Sequence, residues 1–125
     1  MKNYVIPAER KTPEIVFKAN GDLSITGNSR PEDGKSFYKK AFEWLEDFRE
    51  FNPKKITITL DLDYINSVSV RILLTMLQTL HQIIEDKKQF TVIWTYDNND
   101  SDMLDQGKIL EKSLQHPFTF VEKPV

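Results

Sequence analysis

Cysteine is absent from the 125-residue chain. That removes disulfides, thiolate metal sites and cysteine nucleophiles. Small secreted domains often need disulfide staples, so the absence favours a reducing compartment, and a cytoplasmic location is expected. Glycine is scarce, with four residues at 21, 27, 34 and 107. This leaves no phosphate-cradling Gly-rich loop and no Gly-x-Ser-x-Gly elbow. The two histidines, His81 and His116, lack a metal-ligand spacing. His81 is expected at the edge of a helix's buried face and His116 in a turn before Pro117. Long apolar runs are missing too. The densest segment, Ile72 to Leu80, is interrupted by Thr75, Gln78 and Thr79, far short of a membrane span. The stretch from Met1 to Pro7 has no apolar core of signal-peptide length. Positive charge is not in excess, since 17 Lys and Arg face 19 Asp and Glu for a net charge of −2. Nucleic-acid binders rely on a basic excess or stripe. Here the paired lysines (39–40, 54–55 and 87–88) are scattered. Neither nucleic acid nor membrane insertion is expected.

What is present is enough apolar material for one core: 39% hydrophobic residues, including eight Phe, four Tyr and two Trp. Residues 1–11 read as a flexible lead-in, with Pro7 within it, and residues 12–125 as one domain. Ile15, Phe17 and Ala19 alternate with Val16 and Lys18 as a short strand, Asn20-Gly21-Asp22 signals a tight turn, and Leu23 to Thr26 alternates again. This is a hairpin pattern. Gly27 to Gly34 reads as a loop. From Ser36 the period becomes helical, with Phe37, Ala41, Trp44, Leu45 and Phe48 on one stripe until Asn52-Pro53. Ile56, Ile58, Leu60 and Leu62 alternate strictly with Thr57, Thr59, Asp61 and Asp63, a strand with one buried face. Asn66 and Ser67 open a second helix with a broad stripe of Val70, Leu73, Met76, Leu77, Leu80, Ile83 and Ile84, widened by Ile72 and Leu74. Phe90, Val92, Trp94 and Tyr96 form another strand. Met103, Gly107, Leu110 and Leu114 mark a third helix, and Pro117 to Val121 a last strand. The order β-β-α-β-α-β-α-β predicts an α/β domain with about three helices. Its sheet is mixed, parallel where helices connect the strands and antiparallel at the opening hairpin.

Three segments could carry chemistry. Asp61 and Asp63 form the Asp-x-Asp found in aspartyl phosphotransferases, but without the lysine and magnesium context of such enzymes, so a metal-dependent phosphoester hydrolase stands only as an alternative. Asp97 to Asp102 starts like a calcium loop, yet the positions that need Gly and Glu hold Asp102 and Lys108. A polar turn with an N-cap and acidic first turn explains it. No metal, cofactor or catalytic group is assigned. The third segment, Tyr64 to Arg71, joins strand to long helix. Ser67 there is expected to cap the helix by accepting a backbone N–H. Capping is compatible with regulation, because the helix dipole tolerates a phosphate at that end. The charge would change a binding surface without melting the helix. A constitutive scaffolding domain, with Ser67 only a cap, is a further alternative.

Several short pieces, in order, resemble the SiaC-type regulatory phosphoproteins, a bacterial family with the STAS-like (anti-sigma factor antagonist-like) fold. They are Thr12-Pro13-Glu14-Ile15, Gly21-Asp22-Leu23, Ser29-Arg30-Pro31-Glu32, Phe37-Tyr38, Trp44-Leu45, Tyr64-Ile65-Asn66-Ser67, Trp94-Thr95-Tyr96, Asp100-Ser101-Asp102-Met103 with Gly107, and Pro117-Phe118. The family's regulatory segment usually reads Tyr-x-Asn-Thr-Ser-Ser with a basic residue two places on. Its acceptor, directly after Asn, falls on Ser67. Val68 replaces a Ser, and Ser69 keeps the next hydroxyl as fallback acceptor. The resemblance implies a non-catalytic partner-switching protein. A protein kinase modifies Ser67, a PP2C-type phosphatase reverses it, and the unmodified form binds a downstream target, either a second-messenger cyclase or an anti-sigma factor. The contact residues it implies are Tyr64, Asn66, Ser67, Ser69, Arg71, Arg30 and Glu32.

Overall fold

The computed structural model describes residues 1–124. Ten elements follow one another: β1 (Tyr4–Ile6), β2 (Glu14–Phe17), β3 (Asp22–Ser29), α1 (Gly34–Phe51), β4 (Ile56–Ile65), α2 (Ser67–Ile83), a 3-10 turn (Lys87–Gln89), β5 (Phe90–Asp97), α3 (Ser101–Leu114) and β6 (Thr119–Lys123). The six strands form one sheet in chain order. β1, β2 and β3 are antiparallel, and β3 through β6 are parallel. The mixed α/β sheet expected from the alternating periods is therefore present.

Strands laid down in chain order and joined by crossovers of one hand place every connecting helix on the same side. α2 accordingly lies between α1 and α3 and touches both. The burial pattern agrees. Ile56, Ile58, Leu60 and Leu62 of β4 are buried beneath the helices, whereas Thr57, Thr59 and Asp61 on the opposite face are only half-buried. α2 buries Leu73, Met76, Leu77, Leu80 and Ile83 against the sheet. Val70, Ile72 and Leu74 are half-buried and pack at the core's margin, which accounts for the breadth of its apolar stripe.

The opening hairpin turns at Gly21, where φ is +95° and a Cβ would lie 2.1 Å from the Lys55 carbonyl oxygen. Only glycine fits that approach. Helix α1 stops at Asn52, which adopts the left-handed conformation at φ 55° and returns its N–H to the Arg49 carbonyl. Both punctuation signals in the sequence thus correspond to real turns.

Three expectations are corrected. The lead-in over residues 1–11 is not loose throughout. Val5 and its neighbours form β1, paired with β2, while the Trp44 indole N–H donates to the Lys2 carbonyl at 2.8 Å and Asn3 Oδ1 accepts from the Ala19 N–H at 2.8 Å. A short edge strand pinned by a distant tryptophan leaves little local signal. The loop expected from Gly27 begins later, because β3 continues to Ser29 by pairing with β4. The last strand runs two residues beyond its expected span.

His116 is buried at the α3–β6 junction, with Nε2 2.8 Å from the Phe90 carbonyl oxygen. Its ring centroid lies 5.4 Å from that of half-buried His81. Burial, then Lys87, then His116 hold the His81 imidazole below its usual pKa.

Gly107 shows how tightly α3 sits on the sheet. A Cβ at that position would come 2.6 Å from two atoms of the Trp94 indole. Trp94 is fully buried and held by its N–H to the Met103 carbonyl at 2.9 Å. Gly107→Ala is expected to destabilise the fold by about 1–3 kcal/mol through overpacking, despite the higher helix propensity of alanine. Urea denaturation would measure it, and an unchanged or raised midpoint would contradict the packing argument.

Candidate functional site: the β4–α2 junction

β4 begins with strict alternation and ends without it. Pairing with β3 skips a residue, since Gly27 faces Leu62 but Asn28 faces Tyr64. The extra residue, Asp63, makes a β-bulge, and such bulges re-aim side chains at strand ends. Without it Tyr64 would point into the core. With it Asp63 and Tyr64 are both exposed and Ile65 returns to the buried face. Tyr64 is 52% exposed, unusual for so large a side chain.

The chain then enters α2. Asn66 is the N-cap, with extended backbone and Oδ1 accepting from the Ser69 N–H at 2.8 Å. Its own N–H donates to the Ser29 carbonyl at 3.0 Å, tying the junction to the end of β3. The expectation that Ser67 is the cap is corrected: it is the first helical residue. Its side chain is exposed and makes no hydrogen bond among the described residues. Asparagine took the cap because its amide oxygen reaches the third N–H as well as serine's would. A stability test separates the two assignments. Asn66→Ala is expected to cost about 1 kcal/mol, and Ser67→Ala to stay within about 0.5 kcal/mol of wild type. Chemical denaturation of both variants reads this directly, and equal losses would contradict the cap assignment.

Ser69 occupies the opposite side of the turn and is fully buried. Ser29 Oγ donates to Ser69 Oγ at 2.8 Å and lies 2.6 Å from Tyr38 Oη. With the Ser29 proton directed at Ser69, the phenol is the donor to Ser29. Burial, opposed by the bond to Ser29, pushes the Tyr38 phenol up to about 12, so it stays protonated. Three hydroxyls from β3, α1 and α2 thus join beneath the exposed serine. Ser69 as fallback acceptor, and as a contact residue, is corrected on this ground. A kinase or partner would first have to break the network and pull the helix start away from the sheet.

The β3–α1 loop borders the junction. Arg30 and Glu32 are exposed, and Lys11 pairs with Glu32 at 3.2 Å. Asp33 caps α1, and hydrogen bonds from the Ser36 backbone and hydroxyl keep its carboxyl below the usual range. Gly34 starts α1 against α2, since a Cβ there would be 2.8 Å from Ile72 Cδ1 and 3.1 Å from Val68 Cγ1. Beyond this contact the two helices diverge around a groove of about 370 Å³ lined by Lys35, Tyr38, Phe42, Val68, Arg71, Ile72 and Thr75. Sequence reasoning singled out Arg71 here but missed Lys35, Phe42 and the Ser29–Tyr38–Ser69 network. A signal for Phe42 existed, because it falls one place off the α1 core stripe and so had to face elsewhere.

Asp61 and Asp63 lie on the uncovered face of the sheet and at the bulge, and carry no phosphotransferase geometry. Lys123 Nζ lies 2.5 Å from Asp61 and 3.6 Å from Asp63. Thr95 Oγ1 donates to Asp61 at 2.7 Å. Partial burial raises the Asp61 carboxyl, but Lys123 and Thr95 outweigh it and the net shift is downward. The folded pKa lies below the unfolded one, so this pair's contribution is present above about pH 3.9 and lost as pH falls through the folded value. The pair is partly exposed, so the contribution is at most about 1 kcal/mol. Asp61→Asn is expected to be slightly less stable than wild type at pH 6, with the gap narrowing as pH falls through the folded pKa of Asp61. A gap that did not narrow with falling pH would contradict the ion-pair account.

The calcium-like segment is a helix start. Asp100 caps α3 through the Met103 N–H at 3.0 Å, and Asp102 lies in the first turn. Among the described residues no group of three or more His, Cys, Asp or Glu is placed to hold a metal ion. No described helix is long and apolar enough to cross a membrane.

Comparison with known proteins agrees with this architecture. An uncharacterised protein of Pseudomonas aeruginosa (strain UCBPP-PA14) is 24% identical over 120 residues, covering 94% of each chain. The crystal structure of apo-SiaC from Pseudomonas aeruginosa superimposes with a TM-score of 0.87 at 23% identity, covering 97% of this chain and 99% of that one. SiaC in the crystal structure of the diguanylate cyclase SiaD with its activator SiaC, from the same organism, gives a TM-score of 0.86 at 22% identity, covering 96% and 99%. At these identities the structures establish a shared fold. Residues 6–123 match the sequence model of the SiaC family regulatory phosphoproteins. With that match spanning nearly the whole chain, the protein belongs to the SiaC family of regulatory phosphoproteins.

Proposed function

We propose that this chain is a partner-switching regulator whose Ser67 hydroxyl is the switch. As a member of its family it is a regulatory protein and not a catalyst. A protein kinase transfers the γ-phosphoryl group of ATP to Ser67 Oγ. The Oγ–P bond forms as the bond to ADP breaks, and the hydroxyl proton passes to a base of the kinase. A PP2C-type phosphatase reverses this with water, returning the proton to Oγ and releasing inorganic phosphate. The unmodified form binds and activates a diguanylate cyclase. The complex of SiaD with its activator SiaC supports that class of target.

The observation that carries the reading is the contrast between two hydroxyls two residues apart. Ser67 is exposed on the first turn of α2, free of any capping duty, beside the exposed Tyr64 and Val68. Ser69 is buried in a structural network. Phosphate at the first helical residue meets unpaired N–H groups and the positive end of the helix dipole, so the fold accommodates it. The same dianion lies beside the exposed Tyr64 and Val68, where it opposes docking. Incubation with ATP and a candidate cognate protein kinase, followed by tandem mass spectrometry, is expected to place one phosphate on Ser67. Phosphate on another residue, or none, would overturn the assignment.

A further inference from the structure

The groove between α1 and α2 has an apolar floor and an unbalanced rim. Tyr38, Phe42, Val68 and Ile72 supply the floor and wall. Among the described residues the charged side chains lining it are Lys35 and Arg71, both exposed, and no carboxylate lines it with them. Neither cation has a salt-bridge partner among the described residues, although Lys35 is near enough to the exposed Asp33 carboxylate to help hold its pKa down. An apolar groove bordered by two cations and lined by no carboxylate is complementary to a segment bearing a bulky apolar anchor and a carboxylate beside it. Val68, 41% exposed, forms part of the groove and directly follows Ser67. Arg71 is four residues beyond Ser67, the helical spacing at which side chains meet.

Building on the switch reading above, we propose that Lys35 and Arg71 are a shared cation pair. With Ser67 unmodified, they hold a carboxylate of an acidic, apolar-anchored segment of the target protein seated in the groove. With Ser67 phosphorylated, Arg71 turns along its own helix to the phosphate and Lys35 follows across the gap from α1. Guanidinium–phosphate pairing is strong and bidentate. The phosphate then acts twice, by placing a dianion at the groove mouth and by occupying the charges the target needs. This explains a switch at the edge of the binding surface, one turn from the residue that reads it.

The test uses the full chain with phosphoserine installed at position 67 during translation, so that no kinase is needed. Phosphorus NMR follows the second ionisation of the phosphate in wild type and in the Lys35→Gln/Arg71→Gln double variant. The helix dipole is common to both, so the difference isolates the two cations. The wild-type phosphate is expected to ionise about half a pH unit or more below the variant's. Superimposable titrations would overturn the proposal. In parallel, the unmodified double variant is expected to bind the full-length cognate cyclase at least about tenfold more weakly than wild type, a loss of about 1.4 kcal/mol. Arg71→Lys is expected to recover part of that loss. Unchanged affinity in the double variant would also overturn the proposal. If Ser67→Asp still abolishes cyclase binding in that case, the switch reading stands and only the groove inference fails. If Ser67→Asp binds like wild type, the switch reading is what fails. Sedimentation of the unmodified chain supplies a last check, because a dimer that dissociates in Phe42→Asp would assign the groove to a second copy and overturn the proposal.

Discussion

Ser67→Asp is expected to bind the target cyclase at least about tenfold more weakly than wild type, and the phosphorylated chain more weakly still, whereas Ser67→Ala binds constitutively. The ranking follows from charge. Aspartate places one negative charge near the position where phosphate places close to two. Either charge must be desolvated or repelled when the surface around Tyr64, Val68 and the α1–α2 groove is covered. Alanine removes the acceptor and little else, because the helix is capped by Asn66. A folded, active and unswitchable Ser67→Ala variant is therefore the expected phenotype, and titration of each form against the cyclase checks it. Loss of binding in Ser67→Ala would show that the hydroxyl itself is a contact.

Removing the hydroxyl of Ser29 is expected to cost about 2–6 kcal/mol, the largest stability loss at the site. Ser29 is fully buried and bonds both Tyr38 and Ser69. Ser29→Ala leaves two buried hydroxyls without these partners, at about 1–3 kcal/mol each. Among the described residues no buried side-chain polar atom is unsatisfied in wild type, so these two would be new defects. The triple variant Ser29→Ala, Tyr38→Phe, Ser69→Ala removes every member together and is expected to recover much of the loss. Non-additivity of that kind is the signature of a coupled network. Guanidinium denaturation of the single, double and triple variants measures it, and strictly additive losses would contradict the network. Loosening these bonds would also free the start of α2, so Ser29→Ala is expected to weaken target binding beyond its effect on the folded fraction.

The elements carried by periodicity were legible in the sequence, because burial dictates them locally. The alternation from Ile56 to Leu62 and the stripe from Leu73 to Ile83 each correspond to one buried face. What was not legible depended on partners distant in sequence. β1 exists through pairing with β2 and through Trp44, 42 residues from Lys2. The bulge at Asp63 appears only in the register with β3. It decides that Tyr64 faces solvent, which strict alternation from Ile56 would have buried. Within the β4–α2 junction the structural roles of neighbouring residues were not legible. Asn66 and Ser67 both suit a cap by residue type, and only the hydrogen bond to Ser69 separates them. Ser69 looked like a second acceptor because a serine's burial on a helix's first turn depends on what faces it, here Ser29 from β3.

The most direct measurement of the central claim is calorimetric titration of the cognate cyclase with two forms of the full chain, unmodified and carrying phosphoserine at 67. Circular dichroism confirms that both are folded. The account predicts that the unmodified chain binds stoichiometrically and that the phosphorylated chain, equally folded, shows no measurable binding at the same concentrations. Equal affinities for the two folded forms would contradict it.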